Sequence, residues 1–179
     1  RVRELPYSIL SYFNVAGADP QARLVEATPD NHHLVKVACE TALGLRPGMR
    51  INGTDYPTPD GTCIRDYIHV DDLARAHLDA LAHLERGGAP LVLNCGYGHG
   101  LSVREVVDMV RRISGGDFPL EEGPRRPGDP PVLVAGNARI REVLGWQPRH
   151  DDLEFIVRTA WAWEQRLQAR RAAAENARD

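Results

Sequence analysis

The amino-acid sequence predicts an α/β fold, and two observations support this prediction. Short runs rich in β-branched and aromatic residues alternate along the chain with longer segments of helical periodicity. The strand-like runs are too few for a complete doubly wound sheet. Neither an internal repeat nor a linker divides the sequence, and we treat residues 1–179 as a single region.

The first half of the chain opens with a buried strand, predicted from Tyr7 to Phe13 and ending at Asn14. The next predicted elements are a helix at 33–43, a short strand at 49–52, a turn-rich loop at 53–61 and an extended segment at 65–70. Asp71 and Asp72 are then expected to cap a helix that runs to about Leu84.

The second half repeats the alternation of strands and helices. Predicted strands lie at 91–94 and 132–134. Ser102 has the Ser-x-x-Glu spacing of a capping box and predicts a helix that ends at 115–116. Asn137 is expected to cap a short helix that stops at Gly145. A last helix should begin at Asp151, and because its apolar stripe is lost after 167, residues 168–179 are expected to fray.

Composition excludes several classes of function. A hydrophobic fraction of 42% and a charged fraction of 26% are those of an ordinary globular protein, and the formal net charge is −3. Without a run of Lys or Arg, neither a nucleic acid nor a membrane surface is an expected partner. The three cysteines, Cys39, Cys63 and Cys95, are scattered, which favours reduced, buried thiols and a cytoplasmic protein.

Four motifs occur in a fixed order, and the ordered set is far more specific than any one of them. In chain order they are Tyr12-Phe13-Asn14-x-x-Gly17; Asp55-Tyr56-Pro57-Thr58-x-Asp60-Gly61-Thr62-x-x-Arg65-Asp66-Tyr67-Ile68-His69-Val70-x-Asp72-Leu73-Ala74; Asn94-x-Gly96-x-Gly98-x-Gly100-x-Ser102-Val103; and Arg125-Arg126-x-Gly128-Asp129. The series resembles the C-terminal part of the UDP-glucose (UDP-galactose) 4-epimerases, in the extended short-chain dehydrogenase/reductase group. The resemblance extends to about Trp163 and implies the substrate-binding part of an extended Rossmann-type fold.

The resemblance also implies a UDP-hexose as the bound partner. A pyrophosphate carries two negative charges, and the guanidinium group offers a fixed fork of donors for its oxygens. Arg65 and Arg126 match the arginines that form this clamp in the family. Asp129 matches the residue that accepts hydrogen bonds from the ribose hydroxyls.

Further positions match family contacts in the same way. They are Asn14 beside the diphosphate-sugar, His33 beside the phosphates, the backbone of Arg50, Ile51 and Asn52 along the uracil, Leu133 at the sugar pocket, and Phe13 as a minor contact at the nicotinamide end. The family often has an aromatic residue where Asn52 stands, so this chain departs from the stacking pattern. The intermediate bulk of Leu133 leaves the acceptance of N-acetylated sugars open.

Simpler interpretations compete at several of these residues. Surface arginines are usually solvated, and His69 with Asp71 and Asp72 is expected to be structural rather than a catalytic pair. His32 and His33 have no carboxylate or cysteine at helical ligand spacing, so no metal site is expected. The spacing at 96–100 is G-x-G-x-G rather than G-x-G-x-x-G, which favours a structural turn over a dinucleotide loop.

The chemistry of the resembled family requires a Tyr-x-x-x-Lys pair, which this sequence lacks. Its single lysine is Lys36, and His32 stands four residues before it. The chain begins Arg1-Val2-Arg3 without Met, and we expect a cut chain whose N-terminal, NAD-binding half is missing. The strands near 7–13 and 91–94 are then expected to belong to the Rossmann sheet of the full enzyme. The fragment alone should be inactive, and a homodimer is expected only for the full-length enzyme.

Two alternatives to an epimerase fragment remain at this stage. One is a stand-alone nucleotide-sugar-binding module without catalysis, which a start codon near Arg1 would favour. The other is a fragment of a different sugar-nucleotide enzyme, a dehydratase or a decarboxylase. Upstream G-x-x-G-x-x-G and Tyr-x-x-x-Lys motifs would favour the epimerase fragment over the module.

Overall fold

The computed structural model describes residues 5–24, 27–28 and 31–176, so the segment Arg1 to Arg3, where a cut chain was expected, lies outside the described residues. The strands are β1 (Ser8–Ser11), β2 (Asn14–Ala16), β3 (Met49–Asn52), β4 (Ile64–Arg65), β5 (Tyr67–His69), β6 (Leu91–Asn94), β7 (Leu101–Ser102), β8 (Leu120–Gly123) and β9 (Val132–Leu133). The helices are α1 (Leu34–Ala42), α2 (Val70–Glu85), α3 (Val103–Ser114), α4 (Ala138–Leu144) and α5 (Leu153–Asn176).

The strands form four small sheets rather than one large one. Three are parallel pairs, namely β1 with β6, β2 with β5 and β3 with β8. In the fourth sheet β4 is central, antiparallel to β7 and parallel to β9. Arg65 therefore lies on a central strand, and the Cα of Leu133 is its register partner.

Two apolar clusters hold these elements together. Helices α1, α3 and α5 pack around the first cluster, where Val106, Val110 and Val157 are fully buried. The second lies between α2, β6 and α4 and contains Leu93 and Trp146. Full burial of each such side chain contributes about 1.5–3 kcal/mol, so these clusters fix the strands that carry the site.

Most predicted helices form where the local signals placed them. The capping box is present, since Ser102 Oγ accepts from Glu105 N–H at 3.0 Å and Glu105 Oε2 accepts from Ser102 N–H at 2.6 Å. Asn137 precedes α4 as predicted, but its side chain makes no cap and donates instead to Gly96 O at 3.0 Å. The last helix begins at Leu153 rather than Asp151.

The strand predicted at 7–13 is in fact two strands with different partners. Ser11 closes the pairing of β1 with β6, and Cys95 N–H donates to Ser11 O at 2.7 Å. After a two-residue break, Asn14 pairs with Tyr67 on β5. The prediction missed this change because the apolar pattern continues through the break.

Three other predictions need correction or extension. Strands β7 and β8 were not predicted, because β7 has only two residues and β8 is Leu-Glu-Glu-Gly, without an apolar pattern. The extended segment at 65–70 already becomes helical at Val70. Residues 168–176, expected to fray, continue α5, where Ala, Arg and Gln favour helix even though the segment is largely exposed; residues 177–179 lie outside the described part.

The predicted capping of α2 by Asp71 and Asp72 is wrong. The N-cap is His69, whose Nδ1 accepts from Asp71 N–H at 3.1 Å while Nε2 lies 3.2 Å from Thr159 Oγ1. Asp72 is fully buried, and its carboxylate accepts from Tyr97 Oη at 2.8 Å and from His150 N–H at 2.9 Å. His69 is thus structural, as predicted, but as the cap itself.

Lowering the pH is expected to reduce the free energy of unfolding, because His69 must be neutral to cap α2. Burial, and then His150, hold the pKa of His69 below its ordinary value of 6.5. As the pH falls, His69 in the unfolded chain therefore becomes protonated at a higher pH than His69 in the folded chain. The contribution of the neutral imidazole to the free energy of unfolding is complete above about pH 6.5. It is lost as the pH falls through the lower pKa that His69 has in the folded state.

Urea unfolding between about pH 8 and about pH 5 measures this dependence. His69→Asn keeps a capping acceptor that does not titrate in this window and should flatten the pH slope, whereas the exposed His32→Asn should leave it unchanged. The lost cap corresponds to about 1 kcal/mol. An equally steep slope in His69→Asn and in the unsubstituted chain would contradict the prediction.

The three cysteines are free and buried, as predicted. Burial raises the pKa of Cys39 and of Cys95 to about 12, so both remain protonated thiols near neutral pH. In the described part of the chain, no helix combines the length and apolar character needed to cross a membrane.

Candidate functional site

Arg65 is the most firmly held of the predicted site residues. Its side chain is only 10% exposed, although it is charged. Arg65 Nη1 donates to Ile64 O at 2.7 Å, and Nη2 forms an ion pair with Asp129 Oδ1. A buried guanidinium is stable only when its donors are satisfied, so this pair fixes the group in one orientation.

Asp129 reaches Arg65 because it ends a tight turn. Asp129 N–H donates to Arg126 O at 3.2 Å, and Pro127 and Gly128 occupy the two central positions. Gly128 has φ of +77°, which is the backbone conformation that a type II turn requires after proline. The turn therefore links Arg126 directly to Asp129.

Asn52, at the end of β3, contacts the same turn. With its amide oriented so that the oxygen faces Arg126, Asn52 accepts from Nε and Nη2 of that residue at 3.1 Å. Arg50, on the same strand, is exposed and pairs with Glu121 at 3.0 Å. Ile51 is 1% exposed, so its side chain belongs to the core and only its backbone is available to a ligand.

One connected network thus contains Asn52, Arg126, Asp129 and Arg65, with Leu133 beside it on β9. It brings two guanidinium groups and one carboxylate to neighbouring positions. The guanidinium of Arg126 lies on an exposed residue, whereas Arg65 is buried. Such a set can bind a diphosphate through the guanidinium groups and hydroxyl groups through the carboxylate.

The remaining predicted residues lie at the border of this network or away from it. Asn14 Nδ2 donates to Asp66 O at 3.5 Å, next to Arg65 in the chain. Phe13 lies between β1 and β2 and is 39% exposed. His33 is the exposed N-cap residue of α1 and borders a separate cavity of about 300 Å³, together with Tyr12 and Lys36. None of these contacts was foreseeable from local spacing.

Asp66, next to Arg65 in the chain, has a structural role that the sequence did not indicate. It is 2% exposed and accepts from three backbone N–H groups: Tyr97 at 3.0 Å, Gly98 at 3.0 Å and Ala135 at 3.2 Å. The glycine-rich loop at 96–100 therefore donates to a side chain of this protein. Two N–H groups of the loop, those of Tyr97 and Gly98, are thus used within the fold, as a structural turn requires.

The structure also brings three residues to the network that had no predicted role of their own. Tyr56 and Cys63 are buried, and the Cys63 thiol lies 3.8 Å from Asp129 Oδ2. Arg125 stacks on the ring of Tyr56, with its guanidinium carbon 4.3 Å from the ring centroid. Tyr56 and Arg125 stand inside the motifs that carried the resemblance, but their contacts span about 70 residues of sequence.

His69, Asp71 and His150 bring their possible metal-ligating atoms within 4.8 Å of one another. Both ring nitrogens of His69 already have partners, in Asp71 N–H and Thr159 Oγ1. Coordination would therefore break the cap of α2. We assign this cluster to the packing of His69, the N-cap residue of α2, against α5.

Comparison with known proteins gives consistent matches. A model of the NAD dependent epimerase/dehydratase family matches residues 2–96. UDP-glucose 4-epimerase from Azospirillum brasilense is 62% identical over 89% of this chain and 46% of its own length. The chain spans about half the length of the curated relatives that it matches.

Solved structures agree in fold. UDP-glucose 4-epimerase from Brucella ovis, in complex with NAD, is 46% identical with a TM-score of 0.85, covering 88% of this chain and 49% of that one. The enzyme from Bifidobacterium longum, in complex with NAD+ and UDP, is 34% identical with a TM-score of 0.81, covering 90% and 48%. The predicted Rossmann-type α/β class is thus confirmed.

Proposed function

This chain belongs to the NAD dependent epimerase/dehydratase family, and we propose that it is the UDP-hexose-binding part of a UDP-glucose 4-epimerase. The proposed reaction of the complete enzyme interconverts UDP-glucose and UDP-galactose. Arg65 and Arg126 clamp the diphosphate, and Asp129 accepts from the ribose hydroxyls. The backbone of residues 50–52 lies along the uracil.

One observation carries the proposal: the turn from Arg126 to Asp129 connects strand β3 to strand β4 through Asn52 and Arg65. The groups that the diphosphate, the ribose and the base require therefore belong to one rigid network. The relatives support this assignment, since the enzyme from Bifidobacterium longum binds UDP. Asn14 and Leu133 border the network at the side of the sugar, and His33 is assigned to the phosphates from the resemblance alone.

The redox step is proposed to use residues outside these 179. The sequence contains no Tyr-x-x-x-Lys pair, and its single lysine forms buried ion pairs. Lys36 Nζ lies 2.8 Å from Glu164 Oε1 and 3.3 Å from Glu40 Oε1, with all three side chains at most 10% exposed. Phe13 is the one residue of this chain that we assign to the nicotinamide end of NAD.

The remaining part of the enzyme is proposed to cover the outer face of β1 and β6. Ile9 and Val92 are register partners and are 50% and 54% exposed, and Tyr7 beside them is 54% exposed. An apolar sheet face of this kind is normally covered. We propose a cytoplasmic enzyme whose dimer contacts also lie outside this chain.

Calorimetric titration of the 179-residue chain with UDP-glucose, UDP and UDP-N-acetylglucosamine tests the proposal. Micromolar to millimolar affinity is expected for the UDP compounds, because both guanidinium groups of the proposed clamp belong to this chain. Arg126→Ala should weaken binding by about tenfold or more, since charge-assisted hydrogen bonds contribute about 1.5–3 kcal/mol.

Arg158→Ala is the matched control, because Arg158 is exposed and pairs with Glu154 in α5. This variant should bind UDP with unchanged affinity. If a folded chain shows no affinity for UDP, or if Arg126→Ala and Arg158→Ala bind it equally well, the assignment of the clamp is wrong. The relative affinity of UDP-N-acetylglucosamine reports on whether the pocket beside Leu133 accepts an N-acetyl group.

A further inference from the structure

Asn52 ends strand β3 beside the turn that carries Arg126 and Asp129. Its register partner is Gly123, the last residue of β8, and Gly53 N–H donates to Gly123 O at 2.8 Å. The strand pairing therefore fixes the backbone of Asn52 close to the point where the chain leaves β8 for Arg126. Asn52 is half-buried, and its side chain reaches the turn.

The amide oxygen of Asn52 holds the guanidinium group of Arg126 at two points. It accepts from Nε and from Nη2, both at 3.1 Å. The opposite orientation of the amide would set N–H groups against N–H groups, so the oxygen is the atom that faces the arginine. Two hydrogen bonds from neighbouring nitrogens to one acceptor fix the plane of the guanidinium, because it cannot rotate without breaking one of them.

The acceptor that holds Arg126 is uncharged, unlike the acceptors of the neighbouring arginines. In the described part of the chain, Arg125 pairs with the carboxylate of Asp55 and Arg65 with that of Asp129, whereas Arg126 forms no ion pair. The amide does not engage the two N–H groups on Nη1 of Arg126. A carboxylate in place of the amide would orient Arg126 equally well but would cancel its charge.

Orientation before binding raises the affinity of an exposed arginine for an anion. Arg126 is exposed, and an unrestrained arginine side chain loses rotamer freedom when a ligand fixes it. The contact with Asn52 removes part of this loss in advance. The gain in affinity therefore belongs to the group that Arg126 binds.

We propose that Asn52 is a positioning residue for the diphosphate, which orients Arg126 for the phosphates and leaves its charge unpaired. The inference rests on the proposed function, because it assumes that Arg126 clamps the diphosphate. Asn52 acts through Arg126. Its contribution should therefore appear with any ligand that carries a diphosphate and should vanish when the guanidinium of Arg126 is removed.

Asn52→Leu keeps the approximate volume of the side chain and removes the accepting oxygen. Its affinity for UDP should fall about fivefold, and its affinity for inorganic pyrophosphate by the same factor, because the ligand must then order Arg126 itself. With Arg126→Ala already present, Asn52→Leu should cause no further loss. The preference for UDP over CDP should not change, because the backbone of residues 50–52 is retained. Calorimetry measures these affinities, and thermal unfolding shows that each variant folds.

Asn94→Leu is the matched control, because Asn94 is the exposed last residue of β6 and has Ser11 as its register partner. Its affinities for the three ligands should equal those of the unsubstituted chain. Asn52→Ala removes the same oxygen without adding apolar bulk and should behave like Asn52→Leu. The test therefore holds even if leucine at this position prevents folding.

Three results would overturn the inference: unaltered affinities in both Asn52 variants, an equal loss with and without Arg126, or a changed preference for UDP over CDP at unchanged affinity for pyrophosphate. If the unsubstituted chain binds neither UDP nor pyrophosphate, or if Arg126→Ala and Arg158→Ala bind UDP equally well, the proposed clamp itself fails. A loss in Arg126→Ala that is independent of Asn52 would reject only the positioning role.

Discussion

Arg65→Gln should weaken the binding of UDP about a hundredfold, the loss of two charge-assisted hydrogen bonds to the diphosphate. This exceeds the effect expected at Arg126, because Arg65 is buried, whereas Arg126 is exposed and solvent screens its charge more strongly. Glutamine fills part of the same volume and remains polar. Calorimetric titration with UDP measures the difference, and thermal unfolding shows that the variant folds.

A second substitution separates affinity from stability at this site. Arg65→Gln leaves Asp129 without its cation, at a cost of about 1–2 kcal/mol because the carboxylate is partly exposed. In Arg65→Gln with Asp129→Asn the unpaired charge is gone, so stability should recover while the affinity for UDP stays low. Binding by Arg65→Gln within about twofold of the unsubstituted chain would contradict the role of Arg65 in the clamp.

Asp66→Ala is expected to cause the largest loss of stability, about 3–5 kcal/mol of the free energy of unfolding. The substitution leaves three backbone donors without an acceptor, the buried ones of Tyr97 and Ala135 and the partly buried one of Gly98. A small domain has only about 5–15 kcal/mol in total, so the variant should be close to unfolding at room temperature. Urea unfolding followed by circular dichroism measures the change.

Amide hydrogen exchange identifies the cause of this loss. Protection should be lost at only some of the N–H groups of Tyr97, Gly98 and Ala135 in Asp66→Asn, which retains one accepting oxygen and should be destabilised less than Asp66→Ala. Asp108→Ala is the control, because Asp108 is exposed on α3 and its pairing with Arg111 is at 3.6 Å; its effect should stay within about 0.5 kcal/mol. Equal stability of Asp66→Ala and Asp108→Ala would show that Asp66 does not hold the loop.

The predictions from sequence succeeded where the interacting residues are close in the chain. The cap of α3 needs only Ser102 and Glu105, and the strand at 49–52 is visible in its own alternation of residues. The α2 cap failed because aspartate is the commoner capping residue, whereas here Asp72 is taken by Tyr97 and His150. Those partners are 25 and 78 residues away, beyond the reach of any local rule.

In the candidate site, too, the sequence identified individual residues but not the contacts between residues that are distant in the chain. The resemblance named Arg65, Arg126 and Asp129 individually, and the structure shows which of them touch. The stacking of Arg125 on Tyr56 and the thiol of Cys63 beside Asp129 had no signal in the sequence. The resemblance named His33 together with the arginines, but His33 borders a cavity that neither Arg65 nor Arg126 lines.

The sequence by itself determined the α/β class, the family, the positions of most helices and the residue types available for a diphosphate. These properties depend on periodicity, caps and motif order, which are encoded within a few residues. Only the tertiary structure decided that the strand at 7–13 divides between β6 and β5, that Asp66 binds the glycine-rich loop and that the Cys63 thiol lies beside Asp129. Each of these is a choice among distant partners, and it is settled by the burial of polar groups, which must find acceptors or donors wherever the packed chain brings them.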